Sequence, residues 1–255
     1  MMTQSHDPLA AKLSRLAADA PRHLLDRIVA HSTRVPGPVG DLFVAWTDRG
    51  VAYVRLAEVV HHSDAEFAAS FRDRFDRPVL SGGRLPAGLA AALQTGRTRG
   101  LRYDFSGLTG FEQDVLHAAL TIPRGQVRPY AWIAQEIGRP RAVRAVGSAL
   151  GHNPIPVLIP CHRVVRSDGA VGEYAFGTPV KERLLAAEGV DLPEIAGFAH
   201  RGIHYLASDT TGVVCFPTCA GARRITPRHR HGFATVAQAV QAGYRPCKQC
   251  RPGVQ

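Results

Sequence analysis

Long apolar runs, acidic residues and cysteines are all scarce in this sequence. No stretch reaches the ~18 apolar residues that a membrane-spanning helix needs, and the first residues lack a basic region followed by an apolar block. We therefore expect a cytoplasmic protein with no membrane partner. Only 21 Asp and Glu oppose 31 Lys and Arg in 255 residues, a net charge of +10. Such an excess favours polyanions, above all nucleic acid, but many basic proteins share it.

The five cysteines are unevenly placed. Cys161 stands alone, whereas Cys215-x3-Cys219 and Cys247-x2-Cys250 lie in the last 41 residues. A disulfide framework would leave one cysteine unpaired, while one free thiol plus a four-ligand metal site uses all five. Two short chelating pairs are typical of tetrahedral zinc sites, so the sequence predicts one bound Zn2+.

The hydrophobic pattern of the first 105 residues predicts a small mixed α/β domain. Two short helices are expected over residues 9–29. Residues 41–57 alternate apolar and polar positions around an Asp-Arg-Gly turn, which predicts a hairpin, and a helix is expected over 65–75.

From Phe111 the pattern becomes helical. Two short helices across Gly138-Arg139-Pro140 are typical of a helix-turn-helix, with Pro140 in the first turn of the second helix and Gly151 at its left-handed cap. The second helix is rich in small residues. Close packing against another helix and entry into a minor groove only ~6 Å wide both explain that composition.

The last quarter of the chain carries most of the excess positive charge. Residues 189–198 are expected to form a linker, and residues 198–255 contain seven Arg and one Lys against one Asp. A capping box from Thr235 to Gln238 predicts one short helix there, ended by Gly243.

The stretch IPCHRVV places Cys161 against His162 between apolar residues. Neighbouring side chains of a strand point to opposite faces, so a thiol–imidazole pair needs a turn or a bridging water. On spacing alone, a reactive cysteine and an inert core cysteine both fit.

The segment NPIPVLIPCHRVVRSDGAVGEY (153–174) resembles the active-site segment of the O6-alkylguanine-DNA alkyltransferases, and the similarity extends over about residues 36–192. The resemblance implies a ribonuclease-H-like α/β domain over 36–105, behind an N-terminal helical extension over 1–35. It also implies a helical alkyltransferase domain with a helix-turn-helix over 106–192.

The same resemblance implies direct DNA repair in a single turnover. Cys161 would accept the alkyl group of O6-alkylguanine, or of O4-alkylthymine, in double-stranded DNA. His162 would deprotonate the thiol through a water and be oriented by Glu188, while Asn153 braces the active-site turn. A monomer associated with the nucleoid is expected.

Other residues are implied to handle the DNA. Tyr130 would help to rotate the base out of the stack, and Arg144 would fill the space that it leaves. Further DNA- or base-contacting positions are Arg163, Val164 and Ala175. Phe176 stands where relatives have a small residue and is expected to narrow the pocket.

The stretches TTGVVCFPTC and GYRPCKQC resemble the Ada-type metal-binding domain, which implies a small zinc-bound α+β module over 198–255. By this resemblance Cys215 would accept a methyl group from a DNA methylphosphotriester. A zinc module that only adds DNA affinity is the alternative for this site. For the whole chain, the alternative is a non-catalytic DNA-binding or regulatory protein with purely structural zinc, and the presence of Cys161 favours the enzyme.

Overall fold

The computed structural model describes residues 28–253, and the helices predicted over residues 9–29 fall almost wholly outside that range. The first unit is a four-stranded sheet in the order β3-β2-β1-β4. Its strands are β1 (Ala30–Val35), β2 (Leu42–Thr47), β3 (Gly50–Leu56) and β4 (Val79–Ser81). β4 runs parallel to β1, and β2 and β3 form the predicted hairpin.

Strand β2 is buried at every position, which shows that both faces of this sheet are covered. On one face lies α1 (Asp64–Phe75), the predicted helix, whose start is capped by the Ser63 hydroxyl. Aromatic rings join α1 to the sheet: Phe43, Tyr53, Phe67, Phe71 and Phe75. The opposite face packs on the main core of the protein.

A helical region follows the sheet. Its helices are α2 (Leu89–Thr95), α3 (Gly110–Leu120), α4 (Tyr130–Glu136), α5 (Val143–Gly151), α6 (Thr178–Ala187) and α7 (Leu192–His200). Two short strands, β5 (Arg128–Pro129) and β6 (Val164–Val165), pair in parallel. This pairing matters for function because β5 leads directly into α4, while β6 directly follows Cys161–Arg163.

The helices α4 and α5 form the predicted pair, but two details of the prediction are wrong. Gly138 adopts φ 69°, and the Arg139 N–H returns to the Ala134 carbonyl, which closes α4 with a left-handed cap. The chain then needs a turn before α5 begins, so Pro140 lies in that turn. Gly151 is the last helical residue of α5 and does not adopt positive φ.

The segment predicted as a linker is mostly helix. The Asp191 side chain accepts a hydrogen bond from the Glu194 N–H at 2.8 Å, and Pro193 occupies the first turn of α7. An N-cap acid followed by proline is a helix-start signal that outweighs the loop-like composition of residues 189–198.

The C-terminal segment contains a second four-stranded sheet in the order β10-β8-β7-β9. Its elements are β7 (Tyr205–Ser208), β8 (Val213–Cys215), α8 (Ala220–Arg223), β9 (Arg230–Phe233), α9 (Val236–Gln241) and β10 (Arg245–Pro246). The predicted capping box of Thr235 and Gln238 starts α9, and Gly243 at φ 91° follows its end.

One hydrophobic cluster runs through all of these parts. It includes Leu116 and Ile133 of the helical region together with Leu206, Phe216 and Ile225 of the C-terminal segment. The C-terminal segment therefore shares a core with the rest of the protein. Among residues 28–253, no helix combines the length and the apolar character that crossing a bilayer requires.

Candidate active site and metal centre

Residues 153–161 form an irregular turn that ends at the Cys161 sulfur. Asn153 Oδ1 accepts a hydrogen bond from the Ile155 N–H at 2.9 Å, and Asn153 Nδ2 donates to the Ile159 carbonyl at 3.2 Å. The same Nδ2 lies 3.1 Å from Cys161 Sγ. A buried amide that is bonded at both ends holds its neighbours in one arrangement, so Asn153 fixes the position of the thiol.

The surroundings of Cys161 act on its ionisation in opposite directions. Burial raises the pKa of the thiol, whereas the Asn153 hydrogen bond and the charge of Lys181 lower that pKa. Lys181 is fully buried on α6, and its Nζ donates to the Val164 carbonyl at 2.6 Å and to the Glu173 carbonyl at 3.3 Å. Burial lowers the pKa of Lys181 to about 8, so the group is mostly cationic near neutral pH.

The chain turns at Cys161, which is one of the two arrangements that the sequence left open. Residues Cys161–Arg163 form a single 3-10 turn rather than a strand, and His162 Nε2 lies 3.1 Å from Glu188 Oε1. Arg163 donates to both oxygens of the same carboxylate, at 2.7 Å and 2.8 Å. The Gly125 N–H adds a fourth hydrogen bond to Glu188, at 3.2 Å.

These contacts determine the charge of Glu188 and the tautomer of His162. Burial acts to raise the pKa of Glu188, but the hydrogen bonds and charges of His162 and Arg163 outweigh it and lower the pKa to about 2. Burial lowers the pKa of His162. A neutral imidazole facing an ionised carboxylate carries its proton on Nε2, which leaves a lone pair on Nδ1. That Nδ1 is buried and has no hydrogen-bond partner among the described residues.

A cavity of about 670 Å³ opens onto Cys161. It is lined by residues of α4 and α5, including Tyr130 and Arg144, and by the loop that carries Ala175. Its size is within the range of small-molecule sites. The structure thus brings Cys161, Tyr130, Arg144 and Ala175 together around one opening, and the β5–β6 pairing is what places the start of α4 beside the active-site turn.

Three residues predicted at the DNA or the pocket are absent from the described lining of this cavity. Arg163 and Val164 are buried and are absent from the described lining of the cavity. Arg163 donates hydrogen bonds to the Glu188 carboxylate and to the Ile122 carbonyl, so its charge is paired inside the protein. Phe176 is buried in the main core, so the expectation that it narrows the pocket is wrong. Its ring packs on Tyr174, and the neighbouring Ala175 faces the opening.

Two participants in the site, Lys181 and Gly125, were missed by the sequence analysis. Lys181 lies among polar residues of an amphipathic helix, where a lysine is ordinarily solvated. Gly125 adopts φ 73°, and a Cβ there would approach the Glu188 carbonyl oxygen to 2.8 Å. The sequence marks Gly125 only as a glycine in a short turn before β5. Many other glycines of the chain have the same character, so this signal did not identify Gly125 as part of the site.

The four C-terminal cysteines converge on one point. Their Sγ atoms lie within 4.8 Å of one another, and all four residues are buried and free of disulfides: Cys215, Cys219, Cys247 and Cys250. Four thiolates at ~2.3 Å from a tetrahedral Zn2+ lie about 3.8 Å apart, so this donor set fits one zinc ion. Four buried sulfur donors that converge on one point form the ligand set of a metal centre.

The cysteine ligands differ in their access to the surface. Cys215 and Cys247 line a cavity of about 520 Å³, whereas Cys219 and Cys250 are absent from its described lining. Arg224 and Arg245 lie at the same opening, with hydroxyls of neighbouring threonines. A cavity with two guanidinium groups suits an anionic group.

Comparison with known proteins agrees with this arrangement. Residues 110–190 match the family model described as 6-O-methylguanine DNA methyltransferase, DNA binding domain. Residues 198–253 match the model described as metal binding domain of Ada. The two matches include Cys161 and all four cysteines of the metal centre.

Individual relatives cover different shares of the chain. A methylated-DNA–protein-cysteine methyltransferase of Methanothermobacter thermautotrophicus is 35% identical over 159 residues, which are 61% of this chain and 83% of the relative. A protein of the same name from Shigella flexneri is 48% identical over 84 residues, 33% of this chain and 49% of the relative. A crystal structure of Mycobacterium tuberculosis OGT in complex with DNA has a TM-score of 0.51 and 30% identity, covering 65% of this chain and 98% of that chain.

The fold and the site define an alkyltransferase of mixed α/β architecture that carries a four-cysteine zinc module. The chain belongs to the methylated-DNA–protein-cysteine methyltransferase family. It is an enzyme of that class, with one zinc site near its C-terminus.

Proposed function

We propose that the protein repairs DNA by moving one alkyl group from the O6 atom of guanine to Cys161. The observation that carries the proposal is the placement of the Cys161 thiol, which is bonded to Asn153 and opens onto a cavity shared with Tyr130 and Arg144. The names of the relatives, which describe cysteine acceptors for DNA methyl groups, agree with it. O4-alkylthymine presents an alkyl–oxygen bond of the same kind and is a second substrate.

The geometry supports a specific proton path. The thiol proton of Cys161 passes through a water to the free lone pair on His162 Nδ1, and the resulting imidazolium is stabilised by the ionised Glu188. The thiolate is stabilised by the Asn153 N–H and by the charge of Lys181. These groups supply the competent nucleophile at neutral pH inside a site that otherwise disfavours charge.

The transfer balances without a cofactor. The sulfur lone pair forms the S–C bond as the bond between the alkyl carbon and O6 breaks, and the bonding electrons leave with guanine. Guanine then takes up one proton, which replaces the one released by the thiol. The product is a thioether, which has no return path to the thiol, so each molecule acts once.

The base must leave the duplex to reach Cys161, because the sulfur atom of Cys161 lies at the end of a cavity. Tyr130 and Arg144 line that cavity from α4 and α5, the pair of helices that we assign as a helix-turn-helix entering the minor groove. The small residues of α5 permit its close approach. Arg144 is exposed, so it is free to occupy the space left by the extruded base.

The domain assignment follows from the same proposal. Residues 36–105 form the ribonuclease-H-like domain, 106–192 the alkyltransferase domain and 198–255 the zinc module, with 1–35 as a further segment. The sheet formed by β1 to β4 supports the first of these, since its inner face packs on the helices that carry the site. Its strand β1 lies over residues 30–35, so the end of the segment predicted as a helical extension is a strand and belongs to this sheet.

The zinc module carries a second acceptor in this proposal. Zinc keeps its four cysteine ligands deprotonated, which makes their sulfurs electron-rich. Cys215 lies at the cavity that also contains Arg224 and Arg245, which suits a phosphate backbone, and it takes a methyl group from a methylphosphotriester.

The experiment is intact-mass analysis after incubation with a duplex that contains one O6-methylguanine. We expect one added methyl, located on the peptide with Cys161 and absent from Cys161→Ala. A duplex with one methylphosphotriester tests Cys215 separately. On this duplex Cys215→Ser is compared with Cys219→Ser, which makes the same change at another metal ligand. No mass gain on either duplex would leave the non-catalytic DNA-binding protein as the function.

A further inference from the structure

The segment 123–136 lies between the two reactive centres and contacts both. At its start, the Gly125 N–H donates to Glu188 of the guanine site, while the Gly125 carbonyl accepts a hydrogen bond from Arg223 of α8 at 2.8 Å. Arg223 lies four residues after the zinc ligand Cys219. The backbone of one residue, Gly125, thus connects the carboxylate that orients His162 with the helix that follows a metal ligand.

The next residues of the segment are bonded directly to the zinc module. The Val127 N–H donates to Thr218 Oγ1 at 3.0 Å, and the Thr218 hydroxyl lies 3.2 Å from the Val127 carbonyl, which it can donate to in turn. On α4, Trp132 Nε1 donates to the carbonyl of Cys250 at 3.0 Å. Both contacts are buried, and each joins the segment to a ligand or to the neighbour of a ligand.

Arg128 places a buried positive charge beside the metal centre. Its guanidinium donates to the Val127 carbonyl at 2.7 Å and to Gln126 Oε1 at 2.6 Å, and it stacks 5.0 Å from the Phe216 ring. Burial lowers the pKa of Arg128, and the charges of the four cysteines oppose that effect. Zn2+ with four thiolates carries a charge of about −2, so this cation from outside the module compensates part of that charge.

The contact continues along α4. Arg251, next to the last metal ligand, forms a two-point ion pair with Glu136, one bond being 2.9 Å. Beyond it, Gly253 lies so close to Gln135 that a Cβ would collide with that side chain. The tail after Cys250 therefore packs along the helix that begins with Tyr130.

We propose that the zinc-loaded module positions the guanine site: by binding segment 123–136 through Gly125, Val127, Arg128 and Trp132, it holds Tyr130 and the Glu188–His162 pair for reaction at Cys161. Metal binding orders the segments that carry Thr218, Arg223 and Cys250, because a small module of this kind depends on its metal for folding energy. Loss of zinc then releases the segment. Arg128 and Gly125 act as positioning residues, since neither lies at the reacting atoms.

Hydrogen exchange of the full chain, with zinc bound and after removal of zinc by a chelator, tests this proposal. We expect the amides of residues 123–136 to exchange at least about tenfold faster without zinc, because opening of this segment no longer requires breaking of its contacts to the module. Faster exchange limited to residues 205–252 would overturn the proposal.

A pair of variants that keeps every metal ligand separates positioning from general loss of stability. Thr218→Val removes the hydroxyl at the contact, and Thr235→Val removes the cap of α9 elsewhere in the module. Thr218→Val should speed exchange over 123–136 by about tenfold, as expected for hydrogen bonds of one hydroxyl. Thr235→Val should affect α9 alone. Equal exchange of 123–136 in both variants would contradict the proposal.

The consequence for reaction rests on the proposed function and has its own measurement. Thr218→Val should slow methyl transfer to Cys161 about threefold to tenfold at saturating duplex with unchanged DNA affinity, since the contact positions groups and does not bind DNA. Failure of Cys161 to gain a methyl group would refute the proposed function and leave the exchange result standing. Normal transfer with faster exchange would refute positioning alone.

Discussion

The amide nitrogen of Asn153 lies 3.1 Å from the sulfur of Cys161, within a turn that the same side chain closes at both ends. The contact favours the thiolate, because an N–H donor stabilises the charged form of its acceptor. Burial favours the neutral thiol. The reactivity of Cys161 therefore depends on a few fixed donors that offset its burial.

Replacing Asn153 should change the ionisation of Cys161. Asn153→Ala removes the donor, so the pKa of Cys161 rises and the transfer rate at neutral pH falls by about 10- to 100-fold, as for a hydrogen bond to a charged group. Single-turnover rates as a function of pH should show the rising limb displaced to higher pH. Asn153→Asp, which replaces the donor with a negative charge, should displace it further. Identical pH profiles for Asn153→Ala and the wild type would refute this role.

Glu188 should make the stability of the protein depend on pH. Its pKa is lowered from 4.5 to about 2 in the folded protein, so the ionised carboxylate stabilises the fold above pH 4.5, and this contribution is lost as the pH falls towards 2. Glu188→Gln leaves the buried Arg163 without a counter-charge and should cost about 3 kcal/mol near neutral pH. The difference in Tm between the two proteins should shrink as the pH is lowered from 4.5 to 2. A constant difference would contradict the assignment.

Local patterns predicted several local elements, although the positions of Pro140 and Gly151 and the linker over 189–198 were predicted wrongly. The β2–β3 hairpin, α1 and the capping box of Thr235 and Gln238 each depend on residues close in sequence, and each is present. The turn at Cys161 is one of the two arrangements that strand geometry left open for a thiol–imidazole pair. Such features can be predicted because their energies are fixed by neighbouring residues.

Features that depend on packing could not be predicted in this way. The β5–β6 pairing, the burial of Lys181 and the place of Arg128 beside the metal centre all join residues distant in sequence. Phe176 was expected to narrow the pocket because it replaces a small residue, yet it is buried in the main core and its ring packs on Tyr174. A sequence position alone does not say which way a side chain points.

Lys181 should influence the reactivity of Cys161 only while it is charged. Its pKa of about 8 means that the cation supports the thiolate below pH 8 and that this support fades above it. Lys181→Met should therefore slow haloacetamide modification of Cys161, read by peptide mass, below pH 8 by roughly tenfold, with convergence above it. Lys248→Met, at an exposed lysine, is the control. A constant rate ratio across pH would exclude this charge effect.

Arg144 and Arg141 offer a matched pair for testing base extrusion. Both are exposed, but only Arg144 lines the cavity of Cys161. Either alanine variant should lower the affinity for the duplex modestly. The dependence of that affinity on salt concentration should fall by no more than the loss of about one phosphate contact predicts. Only Arg144→Ala should also slow methyl transfer at saturating duplex, by about 10- to 100-fold, because nothing then occupies the space left by the base.

The substrate itself supplies the control for this prediction. A single strand that contains O6-methylguanine has no stack to fill, so the deficit of Arg144→Ala should largely disappear on it. Arg141→Ala should behave like the wild type on both substrates once binding is saturated. If Arg144→Ala were equally slow on the single strand, Arg144 would act on the reacting base itself, and the extrusion role would have to be abandoned.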